Sequence, residues 1–227
     1  MVKEMYITIN DVNIHYECFG QGKEIVFIPG NGTNFKYMIK LAKLLSKEYK
    51  VYLLDRRGQG KSSLNCKLSY ELNAKDVYEF MKKLNILKAH IFGHSGGATI
   101  AMLFALENKD MVDKLILCSG ATSLKGTNSK EIKKWNMYQK LRLINPKVLN
   151  MVLEQPDITN RINKITAKTL VLAATKDIIT KEQTQTIASN INNSILKIYN
   201  NETHSSYIIN AKCYNDVMSF LKEEYNG

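Results

Sequence analysis

The segment Gly93-His94-Ser95-Gly96-Gly97 sets a serine between glycines at minus two and plus two. The apolar run Ala89-His90-Ile91-Phe92 leads into it, and Ala98-Thr99-Ile100-Ala101-Met102-Leu103 leads away. Strand, serine-bearing turn and helix are predicted in that order, the G-x-S-x-G nucleophile elbow. A serine in a strained turn tolerates no side chains on its close neighbours, which accounts for the glycines. The chemistry implied is nucleophilic attack. A serine hydroxyl is a poor nucleophile until a base takes its proton, and that base must be oriented by a third group.

Four histidines compete for the role of base. His15 lies within an alternating segment and His90 within a strand, so both read as packing residues. His94 adjoins Ser95, but neighbouring side chains diverge. His204 follows the last strand in the loop Asn200-Asn201-Glu202-Thr203-His204-Ser205 and is the expected base. Asp177, after Leu170–Ala174, is the expected orienting carboxylate, the alternative being a helix cap. One strand earlier the sequence reads Cys118-Ser119-Gly120-Ala121, with no carboxylate to rival it. The order Ser95, Asp177, His204 is that of an α/β-hydrolase triad. The developing oxyanion needs two donors, for which the backbone N–H groups of Gly96 and Asn31 are expected. Asn31 lies in the turn Pro29-Gly30-Asn31-Gly32-Thr33.

These residues need elements to hold them. Tyr6–Ile9 and Val12–Cys18 alternate like a β-hairpin, while Ile25–Ile28, Val51–Leu54, Lys114–Cys118 and Thr169–Ala174 are apolar runs suited to buried parallel strands. Ile195–Tyr199 is the expected last strand. Helical periodicity appears in 37–47, 73–84, 181–190 and around Val217, Phe220 and Leu221. The alternation predicts an α/β fold with a mostly parallel sheet. Residues 123–166 interrupt it as an expected helical lid, with 1–122 and 167–227 forming the core. One lid helix carries Ile132, Trp135, Tyr138 and Leu141, and a second, capped by Asn145 with Pro146 at its first position, buries Val148, Leu149, Val152 and Leu153. Trp135, Met137, Tyr138 and Leu141 are the expected acyl wall. The lid's nine basic and three acidic residues give it +6 of the chain's +11, read as a solvated face or as attraction for anionic substrates or a membrane surface.

Gly58-Gln59-Gly60-Lys61-Ser62 imitates the end of a phosphate-binding loop, but Asp55 stands where that pattern requires glycine. No nucleotide is implied. The basic residues are overwhelmingly lysine and no nucleic-acid motif accompanies them, so nucleic-acid binding is not expected. No apolar run approaches the roughly 20 residues of a membrane span, so stable membrane insertion is not expected either. The four cysteines form no C-x-x-C pair and are expected to be reduced thiols in a cytoplasmic protein, with no metal site.

Pro29-Gly30-Asn31-Gly32, the segment Asp55 to Ser62, the elbow, the Asp177 loop and Thr203-His204-Ser205 together resemble the α/β-hydrolase superfamily, in its capped, esterase-like branch. The resemblance implies an eight-stranded, mostly parallel sheet with an antiparallel second strand, Ser-Asp-His catalysis and no cofactor. Two departures stand out. Pro29 replaces the usual histidine before the first glycine, and the short lid implies a shallower or more open acyl pocket. Ser95 excludes the aspartate-nucleophile branches. Cleavage of small or medium acyl esters is the leading expectation, with thioesters, lactones and activated carbon–carbon bonds open. The alternatives are lysophospholipid or monoacylglycerol hydrolysis, and a ligand-sensing receptor that retains the triad with little turnover.

Overall fold

The apolar runs become the interior of one eight-stranded sheet. The computed structural model describes residues 5–141 and 145–223. In chain order the strands are β1 (Met5–Ile9), β2 (Val12–Phe19), β3 (Glu24–Ile28), β4 (Lys50–Leu54), β5 (Ala89–His94), β6 (Val112–Cys118), β7 (Lys168–Lys176) and β8 (Ser194–Thr203). Their spatial order is β1-β2-β4-β3-β5-β6-β7-β8. β2 runs antiparallel to both neighbours, and β3 to β8 are parallel. The central strands are buried on both faces, which is why they lack alternation.

Helices cover both faces. They are α1 (Ile39–Leu45), α2 (Tyr70–Lys83), α3 (Gly96–Glu107), α4 (Ser129–Leu141), α5 (Pro146–Leu153), α6 (Lys181–Asn190), α7 (Ser206–Ile209) and α8 (Tyr214–Lys222). α3 is buried from Gly96 through Ala105, as its almost wholly apolar sequence requires. α2 begins at Tyr70 rather than Asn73, because the Ser69 hydroxyl accepts the Leu72 N–H at 3.0 Å and starts the helix one turn early. α5 is capped by Asn145, which accepts the Lys147 N–H.

β8 departs most from expectation. The polar run from Asn200 was expected to be a loop, yet the strand continues to Thr203. Asn201 takes φ +62°, tolerable for asparagine, and its N–H reaches Thr175 Oγ1 at 2.9 Å while the β7–β8 register slips after Ala174. This irregularity sets the approach to His204.

Two helices interrupt the path from β6 to β7. They do not account for all of residues 123–166, since Ile158, Ile162 and Ile165 are buried in the main core. The root of the insertion is stitched to the loop after β7. Thr127 bridges Ile179, the Asn128 N–H donates to Ile178 O at 2.8 Å, and the Thr180 N–H donates to Gly126 O at 2.9 Å.

Candidate active site

Ser95, between β5 and α3, takes φ +55° and ψ −124°, a region that side-chain-bearing residues rarely occupy. Its N–H is anchored to Cys118 O at 2.8 Å. The flanking glycines have a direct steric cause. A Cβ on Gly93 would lie 2.7 Å from Ala98 Cα, and one on Gly97 would lie 2.6 Å from Pro29 O and strike Ile28 O. Strand and helix therefore pass too closely for any other residue at either position. Gly96 opens α3, so its N–H is among those a helix leaves without an intrahelical acceptor, at the positive end of the dipole.

His204 follows β8, and its Nδ1 lies 2.6 Å from Asp177 Oδ1. Asp177 also accepts the Ile179 N–H at 3.0 Å and the Ser119 hydroxyl at 2.5 Å. Burial alone would raise the Asp177 pKa. The bonds from His204, Ile179 and Ser119 outweigh it and hold the carboxyl below its ordinary value. Ser119 itself takes φ +48° and lies 2.8 Å from the buried Tyr207 hydroxyl. The strand end that lacks a carboxylate in the sequence thus supplies a hydroxyl that fixes the carboxylate of its neighbour.

His94 turns away from Ser95. Its Nε2 lies 2.9 Å from His204 O, and a carbonyl can only accept, so that nitrogen carries the proton. Its Nδ1 then accepts from Tyr37 Oη at 2.8 Å, and the same hydroxyl accepts the Gly30 N–H at 2.9 Å. Burial, reinforced by the nearby His204, pushes the His94 pKa down to about 3. A neutral ring thus braces both the His204 backbone and the turn at Gly30. His15 and His90 are buried elsewhere, beside Asp55 and Asp113 respectively.

The Asn31 turn faces the elbow. A Cβ on Gly30 would sit 3.2 Å from Ser95 Cβ, and the Asn31 side-chain amide packs directly on Gly96. A cavity of about 250 Å³ opens there, lined by Asn31, Gly32, Ser95, Trp135, Val148, Leu149, Val152, Ile178 and His204. Ser95 and His204 both line it, with no direct hydrogen bond between them. A larger hollow of about 580 Å³ lies behind Asp177 and is lined by neither Ser95 nor His204.

The cavity lining differs from the expected acyl wall. Of Trp135, Met137, Tyr138 and Leu141, only Trp135 lines the cavity, and α5 supplies the rest of the lid contribution. Helical geometry explains this. Met137 lies about 200° round the helix from Trp135, and Leu141 about 240°, so both face outward. They are 49% and 58% exposed. Tyr138 is half-buried, with the Lys134 ammonium 5.7 Å from its ring centre.

Sequence reasoning missed Tyr37, Ser119, Tyr207, Arg56, Tyr70 and Gln155. Only Arg56 left a signal, as one of two adjacent arginines in a chain that has four. No group of side chains suited to a metal ion occurs among the described residues, and no described helix is long and apolar enough to cross a membrane.

Known proteins resemble this chain in sequence or in fold. A 2-hydroxy-6-oxononadienedioate/2-hydroxy-6-oxononatrienedioate hydrolase of Pseudomonas putida is 35% identical over 119 residues, or 49% of this chain and 42% of the relative. One from Cupriavidus pinatubonensis is 31% identical over 168 residues, or 68% of this chain and 54% of the relative. The chain spans about half the length of the curated relatives it matches. Among solved structures, the enol-lactonase from Burkholderia xenovorans LB400 superposes with a TM-score of 0.82 at 21% identity, covering 96% of this chain and 100% of that one. The sequence model for the alpha/beta hydrolase fold matches residues 23–143, a span that carries both the Asn31 turn and the Ser95 elbow. On that match and the eight-stranded sheet beneath it, the chain belongs to the alpha/beta-hydrolase fold family.

Proposed function

We propose that this protein is a serine hydrolase that cleaves small or medium acyl esters through an acyl-enzyme on Ser95. One observation carries the reading. His204, held by Asp177 at 2.6 Å, lines the same small cavity as a serine at positive φ. In the proposed reaction Ser95 Oγ bonds to the carbonyl carbon, the C=O π pair moves onto oxygen, and His204 takes the serine proton. The N–H groups of Asn31 and Gly96 receive the oxyanion. Collapse expels the alkoxide, which takes the proton from His204. Water then repeats the sequence and frees the acid. Asp177 stabilises the imidazolium in the tautomer whose Nδ1–H it accepts.

The cavity favours neutral substrates over the dicarboxylates named for the curated relatives. Its described lining holds no lysine or arginine that could bond a second carboxylate directly. The confined volume favours short acyl chains. Ser95→Ala is expected to lower turnover of 4-nitrophenyl butyrate by about three orders of magnitude or more with an unchanged melting temperature. A fluorophosphonate probe, mapped by peptide digestion, is expected to mark Ser95 alone. Full activity in the alanine variant would refute the assignment.

A further inference from the structure

Arg56 follows β4 and is 4% exposed, yet among the described residues no carboxylate pairs with it. The carboxylate next to it in sequence, Asp55, is committed to His15 Nδ1 at 2.9 Å and to the N–H groups of Phe35 and Lys61 at 3.1 and 2.9 Å. Arg56 Nη2 instead donates to Gly30 O at 2.8 Å and to Asn31 Oδ1 at 2.9 Å. Its Nε and Nη1 meet no hydrogen-bond partner among the described residues. A buried cation in this condition is costly, and burial pushes its pKa down to about 10. Both of its acceptors belong to the turn that faces Ser95.

The bonds continue in one direction. Asn31 Nδ2 donates to Tyr70 Oη at 2.8 Å, and that hydroxyl donates to Gln155 Oε1 at 3.4 Å. Gln155 Nε2 then donates to Ala121 O at 3.0 Å. Every dipole in the chain points away from Arg56, so each polarises the next. The Asn31 amide is gripped at both ends, which fixes the backbone that carries its N–H.

We infer that Arg56 is a positioning residue of the oxyanion site: its guanidinium fixes the Gly30–Asn31 turn and supplies the positive charge against which the tetrahedral anion forms. The inference rests on the serine-hydrolase reading above. In the ground state the charge has no counter-ion. When the carbonyl π pair moves onto oxygen beside the Asn31 N–H, a counter-ion appears beside the turn that Arg56 holds. Such a contribution acts on the transition state and hardly on the neutral ester.

The test compares wild type, Arg56→Met and Arg56→Lys, each checked by thermal melting. The readouts are kcat and KM on 4-nitrophenyl butyrate, and inhibition by a boronic acid, which forms a tetrahedral anion on an active serine. For Arg56→Met, kcat is expected to fall roughly ten- to hundredfold with KM changed less than about threefold. Boronate affinity is expected to fall in parallel, and Arg56→Lys, which keeps the charge, to lose less. A folded Arg56→Met with wild-type kcat, a rise in KM alone, or unchanged boronate affinity would each overturn the inference. If Arg56→Met does not fold, Tyr70→Phe, which removes the acceptor of Asn31 Nδ2, decides it: a lower kcat at unchanged KM supports the inference and an unchanged kcat sinks it. A wild-type protein inert to ester, boronate and fluorophosphonate alike removes the hydrolase reading and this inference with it. A reactive wild type beside an indifferent Arg56→Met removes the inference alone.

Discussion

At the scale of single residues, the buried His94 ties pH to stability. Burial holds the folded His94 pKa down to about 3, against an ordinary value of 6.5. Between those values the unfolded chain binds the extra proton, so stability falls as pH is lowered through the window. His90, pushed by burial down to about 4, adds to the same slope. His94→Gln can still donate to His204 O and accept from Tyr37, but takes up no proton. Urea midpoints at neutral pH and at about pH 4.5 are expected to converge in the variant relative to wild type; equal slopes would exclude His94 as a source. Ser95, Asp177 and His204 stand out in the sequence as candidates because motif and chain order mark each of them. Ser119, Tyr37 and Tyr70 were not, because a lone hydroxyl at the end of an ordinary strand or helix becomes informative only when distant segments meet.

Elements decide which side chains line the candidate cavity. α5 presents Val148, Leu149 and Val152 to the cavity, while Met137 of α4 faces outward. Val152→Phe is therefore expected to remove the space for the outer methylenes of a longer acyl group. Two lost methylenes at ~0.8 kcal/mol each predict about a tenfold fall in kcat/KM for hexanoate relative to acetate esters. Met137→Ala is expected to leave that ratio unchanged. A shift with Met137→Ala and none with Val152→Phe would reverse the roles of the helices. Both lid helices were visible as amphipathic repeats, but periodicity locates an apolar stripe without saying what it covers. The stripe through Ile132, Trp135 and Tyr138 is only half-buried. The true end of β8 was hidden for a related reason: an exposed edge strand can be polar, and Asn200–Thr203 read as a loop.

Across the whole molecule, Arg57 joins parts of the chain that are far apart in sequence. Its guanidinium is 1% exposed and grips both Asp76 oxygens of α2 at 2.5 and 2.7 Å, with Asp11 of the β1–β2 turn at 3.2 Å and Lys67 O at 3.1 Å. Arg57→Met strands a buried carboxylate and is expected to cost about 3–5 kcal/mol in chemical denaturation. Adding Asp76→Leu is expected to recover most of that loss, and an undiminished cost in the double variant would show that the pair is not the cause. The α/β class was plain from the alternation of strand and helix patterns. The detailed sheet order was not, since the pairing of β2 with β4 joins residues that no local pattern links.

The seam between Thr127 and Ile179 constrains how the site can admit a substrate. Because the first residues of the insertion are fastened to the strand-like stretch just after Asp177, any swing that began there would drag the acid off its histidine. Any opening of the two inserted helices that spares the acid therefore has to bend downstream of Asn128, with the base of the insertion left standing as a fixed doorpost. Under the proposed serine-hydrolase reading, the entrance can then widen while the Asp177–His204 pair stays assembled.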